Sequence, residues 1–333
     1  MSGKIPVRIV SDGDGSGTMH RVGVDFGRGH NFEVVKAADQ RPGGHVAMTQ
    51  AVATALGVST SSFPLDGIAT PTMAISTARR LTASYTGSLI RVRNASATEA
   101  DIGYDGSNVL NTTALLAHTG SGGADTGSIV RAYGQVGTLD GYNATVARQP
   151  WIVQAGAINT IGTRPGCKPQ TADFGLQTVT TGGTVAANLH GAQGDFTYLI
   201  VMIGTTATFS RDFYRLSTNG LQAYSVSPTT RLRVDIDATT VQTADGVNAP
   251  GSTVRVYAGF RSGSTIQIWR NSEGAALATG SLATAMAANQ YAVLSGDTGS
   301  TYAEFYWWNS ALSTAQFNAI RANCTTYYSG TYP

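Results

Sequence analysis

Apolar and polar residues alternate over short stretches along most of this chain, which is the pattern of half-buried β-strands. From Ala74 onward these stretches recur with Gly, Ser, Thr and Asn residues between them. Strands and turns at that spacing predict a mainly β domain built as a two-sheet sandwich. The predicted strands are 89–93, 128–133, 151–153, 198–203, 221–226, 232–236, 254–260, 266–269 and 305–308.

Helical periodicity is confined to a few short segments. Residues 77–85 and 111–118 show it, and Asn111 is an N-cap residue type placed directly before the second segment. Near the C-terminus, Ser313 and Gln316 have the spacing of a capping box, with Leu312 placed to pack against Phe317. We therefore predict a helix that begins after Ser313 and closes the sandwich domain.

The first 70 residues differ from the rest of the chain in their sequence pattern. Short apolar stretches at 7–9, 22–24 and 32–35 predict strands, and 45–56 predicts a helix that ends at a glycine. Residues 59–71, STSSFPLDGIATP, have the composition of a linker. The sequence thus predicts a small N-terminal α+β docking domain over 1–70 and a sandwich domain over 71–333.

Composition excludes several classes of function. Charged residues are only 13% of the chain and the formal net charge is +2, so the clustered basic surface that nucleic-acid binding requires is not expected. The longest apolar run, 199–203, is too short to insert into a membrane. The N-terminus shows no apolar signal-peptide segment, so we expect a protein made in a host cytoplasm.

The residue types that usually hold a metal or cofactor form no recognisable site in this sequence, so no cofactor is expected. Asp12 and Asp14, in DGDGSG, resemble the start of a calcium loop, but Gly23 stands where that loop requires glutamate, and a metal-free turn is favoured. The five histidines have no ligand spacing. For Cys167 and Cys324, two reduced and buried thiols are favoured over one disulfide.

Aromatic residues on the predicted strands are candidates for stacking on sugar rings, although strand aromatics more often belong to a core. Trp307 and Trp308 are adjacent, so their side chains should point to opposite faces of a sheet. One ring should be buried and the other should lie on the outer face or at an interface. The glycan-binding candidates are Trp151, Trp269, Trp307, Trp308, Tyr133 and Asp297.

Three blocks of sequence, 76–106, 133–156 and 296–320, resemble a concanavalin A-like jelly-roll domain of the lectin (LamG) type. That domain occurs in virion proteins of tailed phages and in the catalytic domain of fungal arabinofuranosidases. The resemblance implies a jelly-roll sandwich over 71–333 with the last helix packed on one end. In the second block the matching residues are Tyr133, Gln135, Gly137, Asn143, Gln149, Pro150, Ile152, Val153 and Gly156.

The resemblance to the arabinofuranosidases also implies where catalytic residues would lie. Those enzymes use a glutamate nucleophile and an aspartate acid/base, and Asp297 matches the aspartate. No glutamate occurs between residues 196 and 226, where the nucleophile is expected, and Asp212 is the nearest substitute. Gly134 also replaces a family aspartate. We therefore expect a degenerate site and no enzymatic activity.

These expectations combine into a bacteriophage virion structural protein, either a capsid decoration or a tail fibre component. Its lectin-like domain would bind host-surface glycans, and its partners would be other virion proteins and further copies of itself, such as a trimer. The alternative is a glycoside hydrolase of arabinofuranosidase type that acts on host polysaccharide through Asp297 and Asp212. A third hypothesis is an interaction module without affinity for glycans.

Overall fold

The chain divides into two compact units, residues 1–60 and 61–333. The structure is a computed structural model. It describes residues 63–137, 139–171, 175–180, 194–203, 254–281 and 299–328, together with the backbone of the strands at 7–11, 20–25, 31–33, 211–215, 222–226, 231–236, 239–242 and 292–293.

The first unit contains a three-stranded antiparallel sheet. Its strands lie in the order β1 (Val7–Ser11), β2 (His20–Asp25) and β3 (Asn31–Glu33). All three correspond to strands predicted from the sequence. The predicted helix at 45–56 and the turn with Asp12 and Asp14 lie outside the described residues.

The second unit is a sandwich of antiparallel sheets, as the sequence predicts for a jelly roll. The smaller sheet has seven strands, in the order β22 (Ala278–Ser281), β21 (Thr265–Arg270), β20 (Arg255–Ser262), β15 (Phe196–Ile203), β24 (Thr301–Trp308), β4 (Met73–Ser76) and β8 (Val136–Gly137).

The larger sheet has twelve strands. Ten follow the order β11 (Ala157–Ile158), β10 (Trp151–Gln154), β7 (Gly127–Ala132), β9 (Leu139–Tyr142), β14 (Leu176–Thr180), β23 (Ala292–Val293), β16 (Arg211–Arg215), β17 (Gln222–Val226), β18 (Arg231–Ile236) and β19 (Thr239–Gln242). The other two are β5 (Ile90–Asn94), which pairs with β7, and β6 (Glu99–Ile102), which pairs with β5. A separate ribbon pairs β12 (Thr160–Ile161) with β13 (Arg164–Pro165).

Two helices occur in the described residues, α1 (Thr112–Thr119) and α2 (Thr314–Tyr328). Asn111 caps α1, because its side-chain oxygen accepts the backbone N–H of Ala114 at 3.0 Å. Ser313 and Gln316 form the predicted capping box at the start of α2. No helix in the described part of the chain is long and apolar enough to cross a bilayer.

The predicted helix over 77–85 is wrong. This segment continues from β4 in an irregular path, and its backbone bonds to distant residues: Thr77 donates to Ala303 and Arg80 donates to Asn108, each at 2.8 Å. Ala78 and Leu81 both fill the core, although their spacing resembles one helical turn. Pairing with neighbouring segments therefore outweighs the local helical pattern.

Two hydrophobic clusters hold the sandwich together. The first combines residues of both sheets, such as Val92 on β5 and Ile200 on β15. The second lies on the other face of the smaller sheet, where α2 covers it with Phe317, Ile320 and Cys324. All eight residues of β15 and all eight of β24 are consequently buried. The centre of the smaller sheet is therefore dry on both faces, its edge strands β21 and β22 are partly exposed, and the larger sheet has a solvated outer face.

Residues 63–70, which belong to the predicted linker segment, are part of the second unit and pack on its other residues. The backbone N–H of Leu65 donates to Leu81 at 3.0 Å, and the indole of Trp308 donates to the carbonyl of Ala69 at 2.6 Å. Leu65 is also a member of the second hydrophobic cluster. The docking role assigned to residues 1–70 remains a prediction.

Candidate functional site

A row of polar side chains crosses the outer face of the larger sheet. Direct cross-strand pairing aligns Asp101 on β6 with Arg91 on β5, Arg91 with Arg131 on β7, and Arg131 with Tyr142 on β9. We call these four residues the central row. Sheet alternation turns them outward, because the flanking core residues of the same strands face the opposite sheet.

Ion pairs fix the geometry of the central row. Arg91 donates to both carboxylate oxygens of Asp101, at 2.7 and 2.9 Å, and the two side chains are 41% and 39% exposed. The hydrogen bond from Arg91 holds the pKa of Asp101 below its usual range. Arg131 donates to the buried Asp140 at 2.7 Å. Each arginine of the row is therefore paired with a neighbouring carboxylate that balances its charge.

Tyr133 joins the central row from the end of β7. Its hydroxyl donates to Asp101 at 2.7 Å, and partial burial together with this bond raises the pKa of Tyr133 to about 12. The Arg131 guanidinium lies 5.9 Å from the Tyr133 ring centre and 5.1 Å from that of Tyr142. Two half-buried aromatic rings thus flank one cation on a solvated surface.

The backbone after Tyr133 makes a tight return that only glycine fits. A Cβ atom on Gly134 would lie 2.0 Å from the carbonyl oxygen of Leu139. The N–H of Gly134 donates instead to Asp140 at 2.8 Å. The glycine that replaces the aspartate of the resembling family therefore has a steric reason here, and it positions Tyr133.

A second row lies further along β6, β5 and β7 and ends on β10. It pairs Glu99 with Arg93, Arg93 with Ser128, and Ser128 with Trp151. Arg93 and Glu99 form a salt bridge, and Ser128 accepts a hydrogen bond from Gln170 at 2.9 Å. Trp151 is half-buried at the end of this second row. The structure therefore brings Tyr133 and Trp151, both predicted glycan contacts, to one sheet face.

Trp307 and Trp308 do not belong to that face. Their exposed fractions are 0% and 1%. The Trp307 ring stacks on Phe196 at 5.2 Å between ring centres, and the Trp308 ring stacks on Tyr306 at 5.9 Å. Trp308 does point to the outer side of its sheet, but α2 covers that side. Neither ring has a surface for a sugar, and we assign both to the core.

Trp269 lies on the smaller sheet, away from the polar rows. Its ring packs against Phe317 of α2 at 5.8 Å, edge to face, and the Arg321 guanidinium lies 4.4 Å from it. Burial of Arg321 lowers its pKa to about 10. Trp269 therefore attaches α2 to the sheet, which is a structural contact and not a stacking platform.

The two carboxylates of the enzymatic alternative are placed only in part. Asp212 belongs to β16, whose backbone alone is described, and Asp297 lies outside the described residues. β16 pairs with β23, with Tyr214 opposite Val293. The strand that carries Asp212 is therefore the neighbour of the strand that precedes Asp297 in sequence.

An unpredicted ion pair is buried on the α2 side of the smaller sheet. Arg79 donates to Glu304 at 2.6 and 3.2 Å, and Tyr306 donates to the same carboxylate at 2.6 Å. Burial alone would raise the pKa of Glu304, but the charge and hydrogen bonds of Arg79 hold it below the usual value. The only hint in the sequence is one glutamate inside the apolar run 302–308.

Neither cysteine is in a disulfide, and both are buried. Burial raises the pKa of Cys167 to about 12, so the thiol stays protonated at neutral pH. Among the described residues there is no group of three His, Cys, Asp or Glu side chains arranged to hold a metal ion.

Comparison with known proteins supports the fold. No family model and no curated protein matches the sequence. An arabinofuranosidase complexed with arabinofuranosyl-α-1,2-xylobiose superposes with a TM-score of 0.58 at 13% identity, over 79% of this chain and 64% of that chain. A GH54 α-L-arabinofuranosidase soaked with a cyclic sulfate inhibitor gives 0.53 at 14% identity, over 77% and 62%.

A heptameric SAP-like pentraxin from Limulus polyphemus also matches, with a TM-score of 0.29 at 12% identity over 39% of this chain and 71% of that chain. The chain spans less than two thirds of the arabinofuranosidases it matches. At 13% and 14% identity, the likeness to the two arabinofuranosidases establishes a shared sandwich fold and nothing about activity.

Proposed function

We propose that this protein is a bacteriophage virion structural protein whose sandwich domain binds host-surface glycans on the outer face of the larger sheet. The central row, with Tyr133 beside it, is the observation that carries the glycan-binding part. It combines solvated hydrogen-bonding groups of fixed orientation with half-buried aromatic rings on one continuous surface.

The chemistry of the central row suits neutral sugars. Guanidinium and carboxylate groups are planar and offer pairs of donors or acceptors, which match neighbouring hydroxyls on a sugar ring. The aromatic faces of Tyr133 and Tyr142 can pack against the ring C–H groups. Since Asp101 and Asp140 balance Arg91 and Arg131, this surface gives no charge-based preference for an anionic glycan.

A non-catalytic role is supported by the environment of the described glutamates. Glu99, Glu273 and Glu304 are each paired with an arginine. A retaining glycosidase needs two carboxyl groups about 5–5.5 Å apart at a substrate cleft. None of these three pairs offers a free nucleophilic carboxylate.

Binding is tested on a glycan array with the full chain and with Tyr133→Ala, Arg91→Gln and Trp151→Ala. We expect specific glycan signals that fall at least fivefold in the first two variants, since each removes one stacking or hydrogen-bonding group. Trp151→Ala tests whether the second row takes part. Arg270→Gln is the control, because Arg270 forms a partly exposed pair with Glu273 at the other sheet. An array without specific signal rejects glycan binding and favours the interaction module.

The assignment to a particle rests on the resemblance of residues 76–106 to a module of tailed-phage proteins. Labelling the chain in purified particles and locating the label by electron microscopy tests it. A defined, symmetric position on the capsid or tail is expected, with other virion proteins and further copies of the chain as neighbours. Absence of the label from intact particles rejects this part.

One observation favours the enzymatic alternative: β16, which carries Asp212, pairs with β23, which precedes Asp297. Release of nitrophenol from a nitrophenyl arabinofuranoside tests it. Turnover that is lost in both Asp297→Asn and Asp212→Asn would establish the glycosidase. We expect no turnover above the uncatalysed rate.

A further inference from the structure

A buried arginine without a counter-charge among the described residues lies between α2 and the smaller sheet. Arg321 is 2% exposed. Its Nη2 donates to the backbone carbonyl of Glu273 at 2.6 Å, whereas its Nε and Nη1 have no acceptor in the part of the chain that the structure describes. Since an arginine carries five N–H groups, most of the hydrogen-bonding capacity of Arg321 is unused.

The guanidinium of Arg321 keeps its positive charge. Burial lowers its pKa only to about 10, which is well above neutral pH. The carboxylate of Glu273 pairs with Arg270 at 2.7 Å instead. The guanidinium also lies over two aromatic rings, 4.4 Å from the centre of Trp269 and 4.9 Å from that of Phe317. Such contacts offset only part of the cost of burying an unpaired ion.

A second unsatisfied donor lies beside Arg321. The indole N–H of Trp269 is buried and finds no acceptor among the described residues. The guanidinium is 4.4 Å from the centre of this same indole, so one small ligand can reach both groups. We call Arg321 and Trp269 the donor pair.

Comparable groups elsewhere in the second unit do have acceptors. Arg79 is 4% exposed and donates to the carboxylate of Glu304. The indole N–H groups of Trp307 and Trp308 donate to oxygen atoms at 2.7 and 2.6 Å. The fold thus satisfies a buried arginine and two buried indoles, but the described residues provide no such acceptor where the donor pair meets. Buried polar groups are normally hydrogen-bonded, so this position calls for an acceptor from outside the chain.

The chemistry of the donor pair suits a small anion. Both groups donate and neither can accept, and a water molecule would leave the charge of the guanidinium uncompensated. Glu273 belongs to the turn between β21 and β22, whose Ser272 and Gly274 are exposed. The donor pair therefore lies close to solvent, although its unused donor atoms are closed off from it. This enclosure favours a single ion over a sugar acid or a peptide.

We propose that the donor pair binds a monovalent inorganic anion of halide size, which is chloride in ordinary solution. The anion accepts from Arg321 and Trp269 and neutralises the guanidinium. It thereby fixes α2 to the smaller sheet by charge as well as by packing. The inference is independent of glycan binding on the larger sheet.

Thermal unfolding of the full chain in sodium chloride and in sodium gluconate at equal ionic strength tests the proposal. A ligand that binds only the folded state raises the melting temperature as its concentration rises. The melting temperature should therefore be higher in chloride than in gluconate, which is too large for an enclosed site, and bromide should act like chloride. Equal melting temperatures in chloride and gluconate over the whole concentration range overturn the proposal.

Variants locate the anion. Trp269→Phe removes the indole N–H but keeps an aromatic ring against Phe317, and Arg321→Met removes the charge but keeps a long side chain. The chloride-dependent shift in melting temperature should fall by at least half in the first variant and vanish in the second. Arg270→Gln is the matched control, because Arg270 is a neighbouring arginine that already has a carboxylate partner, and it should keep the full shift.

The variants also separate binding from folding and from general charge screening. If Arg321→Met does not fold, the comparison of Trp269→Phe with the wild-type protein still decides. A chloride shift that persists unchanged in Trp269→Phe, or one that Arg270→Gln reduces as much as the substitutions in the donor pair do, overturns the proposal.

Bromide locates the ion directly. Anomalous scattering from crystals of the full chain soaked in sodium bromide should give a peak within hydrogen-bond distance of Arg321 and Trp269. A peak at that position without any chloride-dependent stability would mean an adventitious ion only and would overturn the proposal. A wild-type crystal with no bromide peak at the donor pair would overturn it as well.

Discussion

At the scale of single residues, one ion pair of the described residues is shielded from water. Arg79 and Glu304 are 5% and 0% exposed in their side chains. Removing one partner of such a pair leaves a buried charge without compensation, which costs far more than losing a surface pair. The two kinds of pair coexist here and can be compared directly.

Glu304→Gln should therefore lower the free energy of unfolding by about 3–5 kcal/mol. The matched control is Glu273→Gln, which breaks the partly exposed pair with Arg270 and should cost less, about 1 kcal/mol or below. Urea unfolding followed by circular dichroism measures both. Equal losses of unfolding free energy in the two variants would contradict the argument that Glu304→Gln leaves Arg79 buried without a counter-charge.

The same carboxylate makes stability depend on pH. In the folded state the pKa of Glu304 lies below its ordinary value of 4.5. As the pH falls, the Glu304 carboxylate is therefore protonated at a higher pH in the unfolded chain than in the folded chain. The stabilisation is complete above that value and is lost as the pH falls toward the folded pKa. Urea unfolding at several pH values should show a steeper loss below about pH 4.5 in the wild-type protein than in Glu304→Gln.

Gly134 allows a test of how the turn positions Tyr133. Gly134→Ala places a Cβ against the backbone of Leu139, so the turn must shift, at a cost of about 1–3 kcal/mol. The Tyr133–Asp101 bond should weaken, which a lower pKa of Tyr133 in a spectrophotometric titration would report. Gly103→Ala is the control, because a Cβ there meets nothing within 4 Å. An unchanged stability and titration would contradict the steric argument.

At the scale of elements, the capping box determines where α2 begins. Ser313 accepts the N–H of Gln316 at 3.3 Å. Ser313→Ala should destabilise the protein by about 1 kcal/mol, since the first turn then lacks a cap. Ser310→Ala, three residues earlier and also exposed, should have no measurable effect. Thermal unfolding of the two variants separates the loss of the helix cap from the effect of replacing any exposed serine by alanine.

How far the sequence predicts each element depends on where its bonding partners lie. The nine strands listed for the sandwich and the two helix caps were predicted because alternation and capping are local patterns, whereas strands such as β9 and β14 were not predicted. The helix over 77–85 was predicted wrongly because its partners, Ala303 and Asn108, are distant. One ring of the Trp307–Trp308 pair was expected on an outer face or at an interface. Sheet alternation turns Trp308 to the outer side, but no local pattern shows that α2 covers that side.

The candidate site shows the same division. Tyr133 and Trp151 were selected from the sequence as aromatic strand residues. Their companions, Arg91 and Asp101, were not, because strand register decides which side chains become neighbours. The Arg79–Glu304 pair joins positions 225 residues apart, so no spacing rule could have found it.

At the scale of the whole molecule, both described hydrophobic clusters belong to the second unit. A chain of residues 61–333 should therefore fold cooperatively without residues 1–60 and keep its glycan signals. Differential scanning calorimetry should show a single transition for it, close to the corresponding transition of the full chain. A chain that remains unfolded after removal of residues 1–60 would contradict an independent core.

The dry interior of β15 and β24 divides the molecule into positions that tolerate change and positions that do not. Any substitution on those strands disturbs packing on one side or the other, so natural variation there should be limited to residues of similar volume. The solvated surface of the larger sheet has no such restriction. New recognition specificities should therefore arise by replacing side chains along β5, β6, β7 and β9 while the scaffold behind them stays constant.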